Sequence, residues 1–274
     1  MGETSWTAGW LFQTGIAKEL HAVHHKPRTP VRNVATEYCD SSVVFGTGLM
    51  GTPGGHAGDC ATSFGYVVDF VANHPFIDIR DTGMKLPAFR SGSQSYVVPG
   101  GLGFAMPFFG DVATDLWLNN HGLIGLSGTA STSYSNRALG NSGTGTTLRG
   151  QGLIAPFWEQ LAVSRDDSMV YIDRRVIGGS QVVIVQFDGY KYYSTTYPGD
   201  LTFQAQIWEN GDIAFVYGDL KRIVHLQDTI RYQEGKGATI GIEAMGNAAD
   251  TEAVQYSYNT PILRSFQSFL FQKL

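Results

Sequence analysis

The clearest hydrophobic pattern in the chain lies in residues 201–219, where polar and apolar residues alternate on both sides of Asn210 and Gly211. An Asn-Gly pair between two alternating segments predicts a β-hairpin with a two-residue type I′ turn, because both residues accept a positive φ. In that register Trp208 pairs with Ile213 and Phe203 pairs with Gly218. One face then has no polar side chain and is predicted to lie in the core. Its members are Phe203, Ala205, Ile207, Ala214 and Val216.

The opposite face of this hairpin carries Gln204 and Gln206 among aromatic and aliphatic residues. We expect this face to be either partly exposed or covered by a segment that offers hydrogen-bond partners to the amides. A shift by one residue would turn the glutamines towards the core, so the register is expected to be firm.

Short apolar segments separated by turn signals recur through the rest of the chain. The segments that read as strands are 64–72, 76–83, 96–98, 103–110, 115–126, 152–161, 169–172, 181–187, 238–244, 253–258 and 266–271. Residues 127–151 are rich in Ser, Thr, Gly and Asn and are predicted to form a long loop. Ten or more short strands predict an all-β protein, an antiparallel β-sandwich of jelly-roll type.

The aromatic segment 152–161 makes more specific predictions. Pro156 indicates an edge strand or a bend, because proline has no N–H to donate. Phe157 and Trp158 alternate, so one is expected in the core and the other near the surface. Glu159 is interpreted as a solvated strand residue in preference to a ligand-binding one.

The first 75 residues differ from the rest. Residues 1–30 show helical spacing interrupted by glycines, which is typical of an N-terminal arm with room for one short helix. This arm is too small for a core of its own and is expected to dock on its own domain or on a neighbouring subunit. The residues expected to dock are Trp6, Trp10, Leu11 and Phe12. Residues 31–75 form a Gly-rich cysteine loop with a leading strand, and residues 76–274 form the sandwich.

Cys39 and Cys60 are the two cysteines of the chain and lie in one Gly-rich segment. The even count favours a disulfide over two unrelated thiols. Closing this loop would stabilise the fold by roughly 3 kcal/mol through the entropy of the unfolded chain.

Composition and charge narrow the function classes. A net charge of −5 argues against nucleic acid or an anionic membrane as a partner. The sequence contains no run of 18 apolar residues, so no membrane-spanning helix is predicted. The first twenty residues do not read as a signal peptide, which leaves a removed signal, another export route or an internal location open.

One loop carries side chains suited to binding a ligand. Aromatic residues near residues 188–200 favour a sugar-binding platform, because their rings stack on pyranoses. They are Tyr190, Tyr192, Tyr193, Tyr197 and Trp208. The packing of some of these rings beneath the loop is the alternative.

No cofactor is predicted, and metal binding is weakly indicated. His21 and His25 share a helical face but have no third ligand, so a solvated histidine run is favoured. The acidic loop tips at residues 165–167 and 198–200 carry carboxylates of the kind that bind calcium, but they lack the spacing of a calcium loop, and solvated turns are favoured.

A polysaccharide hydrolase would need two carboxylates across a cleft. The candidates are Glu159, Asp173, Asp188 and Glu209, and no spacing singles out a pair.

Five segments share turn residues and core aromatics in a distinctive order. They are 76–83 (FIDIRDTG), 106–110 (MPFFG), 119–122 (NNHG), 154–161 (IAPFWEQL) and 203–219 (FQAQIWENGDIAFVYGD). Together they resemble the extracellular β-sandwich module related to the NIDO domain of nidogen, which is also found in bacterial secreted and surface proteins. The resemblance covers residues 76–271, with Gln160 where an acid is usual. It implies an extracellular or cell-surface location and a role in adhesion or assembly, and none of its motifs is catalytic.

These observations predict a non-enzymatic β-sandwich that acts in adhesion or structural assembly through protein–protein contacts, with the arm supporting a homo-oligomer. A carbohydrate-binding accessory module and a polysaccharide hydrolase are the alternatives.

Overall fold

The computed structural model describes residues 65–69, 73–86, 92–140, 148, 150–193, 200–220, 232–246 and 252–274. The predicted arm, the disulfide between Cys39 and Cys60 and the platform residue Tyr197 lie outside these residues. Within them, no helix is long and apolar enough to span a membrane.

Sixteen strands form in the described residues, and every pairing between them is antiparallel. They are β1 (Tyr66–Asp69), β2 (Met84–Lys85), β3 (Ser95–Val97), β4 (Met106–Phe108), β5 (Asp111–Ala113), β6 (Trp117–Asn119), β7 (Ile124–Gly125), β8 (Gln151–Trp158), β9 (Leu161–Val163), β10 (Met169–Ile177), β11 (Ser180–Tyr192), β12 (Leu201–Trp208), β13 (Ile213–Tyr217), β14 (Thr239–Met245), β15 (Ala253–Tyr258) and β16 (Ser268–Lys273).

The strands form two main sheets. The larger sheet has the order β1-β16-β13-β12-β11-β10-β2, with β9 also paired to β11. The smaller sheet has the order β15-β14-β8-β7-β6-β3, and β4 and β5 form a separate hairpin. Aromatic rings join the two sheets: Phe157 of β8 stacks on Phe203 of β12 with ring centroids 5.5 Å apart. Tyr217 of β13 donates a hydrogen bond to the carbonyl of Pro156 at 2.7 Å. The predicted all-β antiparallel sandwich is confirmed.

The β12–β13 hairpin forms as predicted, but its register differs by one residue. Ile207 pairs with Ile213, and the Trp208 N–H donates to the Asp212 carbonyl at 2.9 Å. The loop therefore has three residues, and Gly211 adopts a φ of +97°. This is the geometry of a type I turn followed by a left-handed residue, which Asn-Gly also suits.

The changed register reverses the faces of β13 and leaves those of β12 as predicted. The residues that face the core between the sheets are Phe203, Ala205, Ile207, Ile213, Phe215 and Tyr217. Ala214 and Val216, which the sequence placed in the core, share the outer face with Gln204 and Gln206. Both predictions for β13 were wrong because one extra loop residue turns every following side chain over.

The outer face of the larger sheet is covered by residues 75–79 through a ladder of glutamines. Gln204 accepts a hydrogen bond from the Ile77 N–H at 3.2 Å, and Gln206 donates to the Pro75 carbonyl at 2.9 Å. Gln186 of β11 accepts from the Ile79 N–H at 3.0 Å and from the Gln204 amide at 2.8 Å. Of the two predicted states of this face, the covered one is confirmed. The segment was predicted to be a strand, but glutamine side chains provide its partners in place of a neighbouring backbone.

The outer face of the smaller sheet is covered by residues 127–140. The Trp158 indole donates to the Ser133 carbonyl at 3.2 Å. Arg137 forms two hydrogen bonds to Glu243 of β14, at 2.8 and 2.7 Å. Phe157 lies in the main core, as expected for one residue of the Phe157–Trp158 pair. Trp158 is also fully buried. The prediction that one of the pair lies near the surface was wrong because the loop provides a second apolar cover.

Pro156 lies at an irregularity in β8. The register between β8 and β14 shifts between Thr239 and Gly241, so two residues of β8 face one residue of β14. A bulge tolerates a residue without an N–H, which confirms the predicted bend.

Candidate functional site

A cavity of about 350 Å³ lies on the outer face of the larger sheet, where residues 76–80 meet β11 and β12. We call it the outer cleft. The lining residues that carry charge or a large ring are Phe76, Asp78, Arg80, Asp188, Asp200, Asp219 and Phe266. They come from five separate parts of the chain, so the fold and not a local motif creates the site.

A bulge in β11 places Asp188 in the outer cleft. Phe187 pairs with Phe203 and Tyr190 pairs with Leu201, so two residues of β11 face one residue of β12. Gly189, inside the bulge, has a φ of +72°. As a result, Phe187 and Tyr190 both face the core while Asp188 faces outwards.

Arg165 joins the carboxylates on one side of the outer cleft. Its guanidinium donates to Asp188 at 2.9 Å, to Asp167 at 2.9 Å, and to Asp200. The side chains of Asp188 and Asp200 are only 6% and 3% exposed. Burial raises the pKa of Asp188, and the positive charge of Arg165 opposes that rise. These carboxylates are therefore held in place by a structural cation.

A second ion pair lies on the rim of the outer cleft. Arg80 hydrogen-bonds to both oxygens of Asp78, which also accepts from the Gln186 amide at 3.3 Å. The hydrogen bonds from Arg80, against some burial, lower the pKa of Asp78 to about 2. Asp78 is therefore a fixed negative charge at neutral pH, and its position follows from the glutamine ladder.

Phe266 forms the apolar side of the outer cleft. Its side chain is 77% exposed, the highest value among the large hydrophobic residues of the described chain. Its φ is +61°, and its N–H donates to the Gly218 carbonyl at 3.0 Å. A non-glycine residue rarely adopts this conformation, so the turn holds the ring outwards at some energetic cost.

The outer cleft thus combines excess negative charge with an exposed ring. Four carboxylates face it, and the two guanidinium groups are Arg80 on the rim and Arg165 behind Asp188 and Asp200. Because most of the charges are fixed in ion pairs, the arrangement suits recognition of a ligand more than proton transfer.

The two acidic loop tips that were candidates for binding calcium, residues 165–167 and 198–200, lie close together where the structure describes them. Asp167 and Asp200 share the guanidinium of Arg165, which lies where a cation would be needed. In the part of the chain that the structure describes, no group of three His, Cys, Asp or Glu has a geometry that could hold a metal ion.

The described members of the predicted aromatic platform are not brought together. Tyr190 is fully buried in the core, and Trp208 pairs with Val182 near the opposite end of β11. Tyr192 stacks on Tyr232, with ring centroids 4.5 Å apart. Of the described members, only Tyr193 is strongly exposed, at 61%. The bulge at Asp188 is the reason that Tyr190 faces inwards.

The four hydrolase candidates lie in different places. Asp188 lies in the outer cleft, Asp173 binds Arg175 at 2.9 Å, and Glu209 binds Gln181 at the hairpin tip. Glu159 is 6% exposed at the end of β8, so its interpretation as a solvated residue was wrong. Burial raises the pKa of Glu159 to about 7.

His121 lies beside Glu159 and is also buried. Its Nδ1 accepts the Leu161 N–H at 3.2 Å, which leaves Nε2 to donate to Ser93 Oγ at 3.0 Å. Burial lowers the pKa of His121 to about 4. This tautomer cannot take a proton from Ser93, so the pair lacks the arrangement of a serine nucleophile and its base.

Sequence reasoning missed most of the outer cleft. It did not single out Arg80, Asp219 or Phe266, and it placed Arg165 only among acidic turn residues. The alternation along β11 could have placed Asp188 on the outer face, because Gln186 and Asp188 lie on the face opposite Phe187.

The fold is an all-β antiparallel sandwich. Its site is a charged cleft on the outer face of the larger sheet, the face that residues 75–79 cover. A family model described as NIDO related matches residues 66–270. The chain belongs to this NIDO-related family, which confirms the resemblance seen in the motifs. No curated protein and no solved structure matches the chain.

Proposed function

We propose that this chain is a non-enzymatic module that acts outside the cell in adhesion or structural assembly, and that the outer cleft is a site of protein–protein contact. The observation that carries the proposal is the outer cleft itself, in which fixed charges lie beside the exposed ring of Phe266. Phenylalanine and arginine are enriched at protein interfaces relative to the rest of the surface, and Phe266 and Arg80 both line the outer cleft. The NIDO-related family and its extracellular module support the location.

A site-specific photo-crosslinker tests this contact. It replaces Phe266 in one variant and Val112, a comparably exposed residue of β5, in the control. Surface proteins from the source cells are then cross-linked and identified, and binding is repeated with the purified partner. We expect a partner specific to position 266, with affinity at least tenfold weaker for Phe266→Ser and unchanged for Val112→Ser. Equal cross-linking at both positions, or binding that ignores Phe266→Ser, would contradict the proposal.

Self-assembly through residues 1–30 belongs to the same proposal, because Trp6, Trp10, Leu11 and Phe12 are apolar residues of a short segment. The mass of the protein in solution, measured with and without residues 1–30, tests whether this segment causes self-assembly.

Glycan binding is the second candidate, and Tyr193 is the residue that favours it. Its ring is exposed beside the Tyr192–Tyr232 stack and offers a face for a sugar.

A further inference from the structure

Glu159 lies in a tight joint between three parts of the chain. Its Oε1 accepts the Gln160 N–H at 2.7 Å, and its own N–H donates to the His121 carbonyl at 3.1 Å. On the other side, the carboxyl lies against Gly237, where an added Cβ would be 2.6 Å from Oε2. The same point is 3.1 Å from Cε2 of Tyr192. The end of β8, the end of β11 and the turn at residues 232–238 therefore meet at this carboxyl.

No cation among the described residues balances Glu159. No ion pair of the described chain includes it. The titratable residues at the end of β11, in the turn and beside the end of β8 are His121, Lys191, Tyr192, Tyr193, Tyr232, Glu234 and Lys236. Lys236 places its Nζ over the ring of Tyr232, 4.8 Å from the centroid. His121 is neutral because its Nδ1 accepts a backbone N–H. Burial raises the pKa of Glu159, and hydrogen bonds from the Gln160 N–H and the Tyr192 side chain only partly oppose that rise. An ionised Glu159 would therefore be a buried charge without a counter-ion among the described residues, which is costly.

Besides this carboxyl, backbone hydrogen bonds attach the turn at residues 232–238 to the sandwich. The Leu263 N–H donates to the Glu234 carbonyl at 2.9 Å, and the Asn259 N–H donates to the Ala238 carbonyl at 2.8 Å. Within the turn, the Gly235 N–H donates to the Tyr232 carbonyl and the Ala238 N–H donates to the Gly235 carbonyl. The Asn136 amide donates to the Gly237 carbonyl at 2.7 Å, and Tyr232 stacks on Tyr192. Because the groups that hold the turn lie in loops or at the end of β11, local separation of the turn breaks these contacts without unfolding the strands.

We infer that Glu159 is a proton-controlled latch between the end of β8 and the turn at residues 232–238. The neutral carboxyl stays buried and keeps the turn packed on Tyr192. The ionised carboxyl reaches water only if Gly237 and Tyr192 move away, so loss of the proton releases the turn. Since burial raises the pKa of Glu159 to about 7, the change falls in the neutral range. The latch is separate from the outer cleft and does not depend on the function proposed for it.

Amide hydrogen exchange at pH 6 and pH 8 tests the latch in the full chain. After correction for the intrinsic rate, exchange in residues 232–238 is expected to rise about tenfold in the wild type, as a carboxyl titrating near pH 7 requires. Glu159→Gln, which stays neutral, is expected to show no such rise. The matched control, Glu209→Gln at the exposed hairpin tip, is expected to behave like the wild type. Equal behaviour of Glu159→Gln and the wild type would overturn the latch.

A carbon-13 NMR titration of the Glu159 carboxyl in the wild type gives an answer even if Glu159→Gln fails to fold. We expect a midpoint near neutral pH, shared by the amide signals of Gln160 and Gly237. A midpoint near the ordinary glutamate value of about 4.3 would overturn the inference.

Discussion

Trp117 lies flat against Gly125, its partner across β6 and β7. A Cβ built on Gly125 would be 2.0 Å from Cε2 of the indole, whose Nε1 donates to the Ser127 carbonyl at 3.0 Å. Glycine is needed here for space, because the ring occupies the volume of any side chain. The contact fixes the start of residues 127–140, which cover the smaller sheet.

Gly125→Ala should destabilise the protein by about 3 kcal/mol or more, because the fully buried ring has no free volume into which it can move. Denaturant unfolding measures the loss, and near-ultraviolet circular dichroism reports the displaced indole. Gly178→Ala is the control, since Gly178 has open space and only a φ of +61° to strain an alanine. Its expected cost is about 1 kcal/mol. Equal losses in the two variants would show that the indole does not limit the site.

At the scale of elements, the sequence predicted the strands better than their partners. The alternation in β12 correctly placed Phe203 and Ile207 in the core. It could not predict the faces of β13, because Asn-Gly suits both a two-residue and a three-residue loop and one residue decides which side chains face inwards. The outer cleft was harder to predict, since Asp78 and Asp188 are 110 positions apart in the sequence.

The glutamine ladder shows how a polar pattern can encode a tertiary contact. Gln204 accepts from the Ile77 N–H and donates to the Ile77 carbonyl, so one side chain satisfies both backbone groups. A neighbouring strand would do the same through its backbone. The sequence indicated that the amides needed partners, but it could not show that residues 75–79 would provide them.

Gln204→Leu should therefore destabilise the protein by about 2–4 kcal/mol, because Ile77 loses both hydrogen-bond partners. Hydrogen exchange at Ile77 and Ile79 should accelerate more than at β16. Gln181→Leu, a control at the exposed start of β11, should cost less than about 0.5 kcal/mol. If both variants lose the same stability, the ladder is not what holds the segment.

For the whole molecule, the pH dependence of stability combines two buried groups with opposite signs. Glu159 has a folded-state pKa of about 7, against an ordinary value of 4.5, so its stabilising effect is complete below pH 4.5 and is lost as the pH rises through 7. His121 has a folded-state pKa of about 4, against 6.5, so its effect is complete above pH 6.5 and is lost as the pH falls through 4. The difference between the folded-state pKa and the ordinary pKa of each group corresponds to roughly 3 kcal/mol of folding free energy.

The two slopes overlap between pH 4.5 and 6.5 and oppose each other there. Between these limits, the contributions of Glu159 and His121 should nearly cancel. In Glu159→Gln the His121 slope is no longer opposed by Glu159, so stability should rise with pH across this range. In His121→Asn, which keeps an acceptor for the Leu161 N–H, stability should instead fall as the pH rises. Urea unfolding at a series of pH values measures each slope, and the slope of the double variant should return to that of the wild type. Because only the slopes are compared, a general loss of stability in either variant does not affect the result. Slopes of the same sign in the two single variants would mean that other groups control the pH response of this fold.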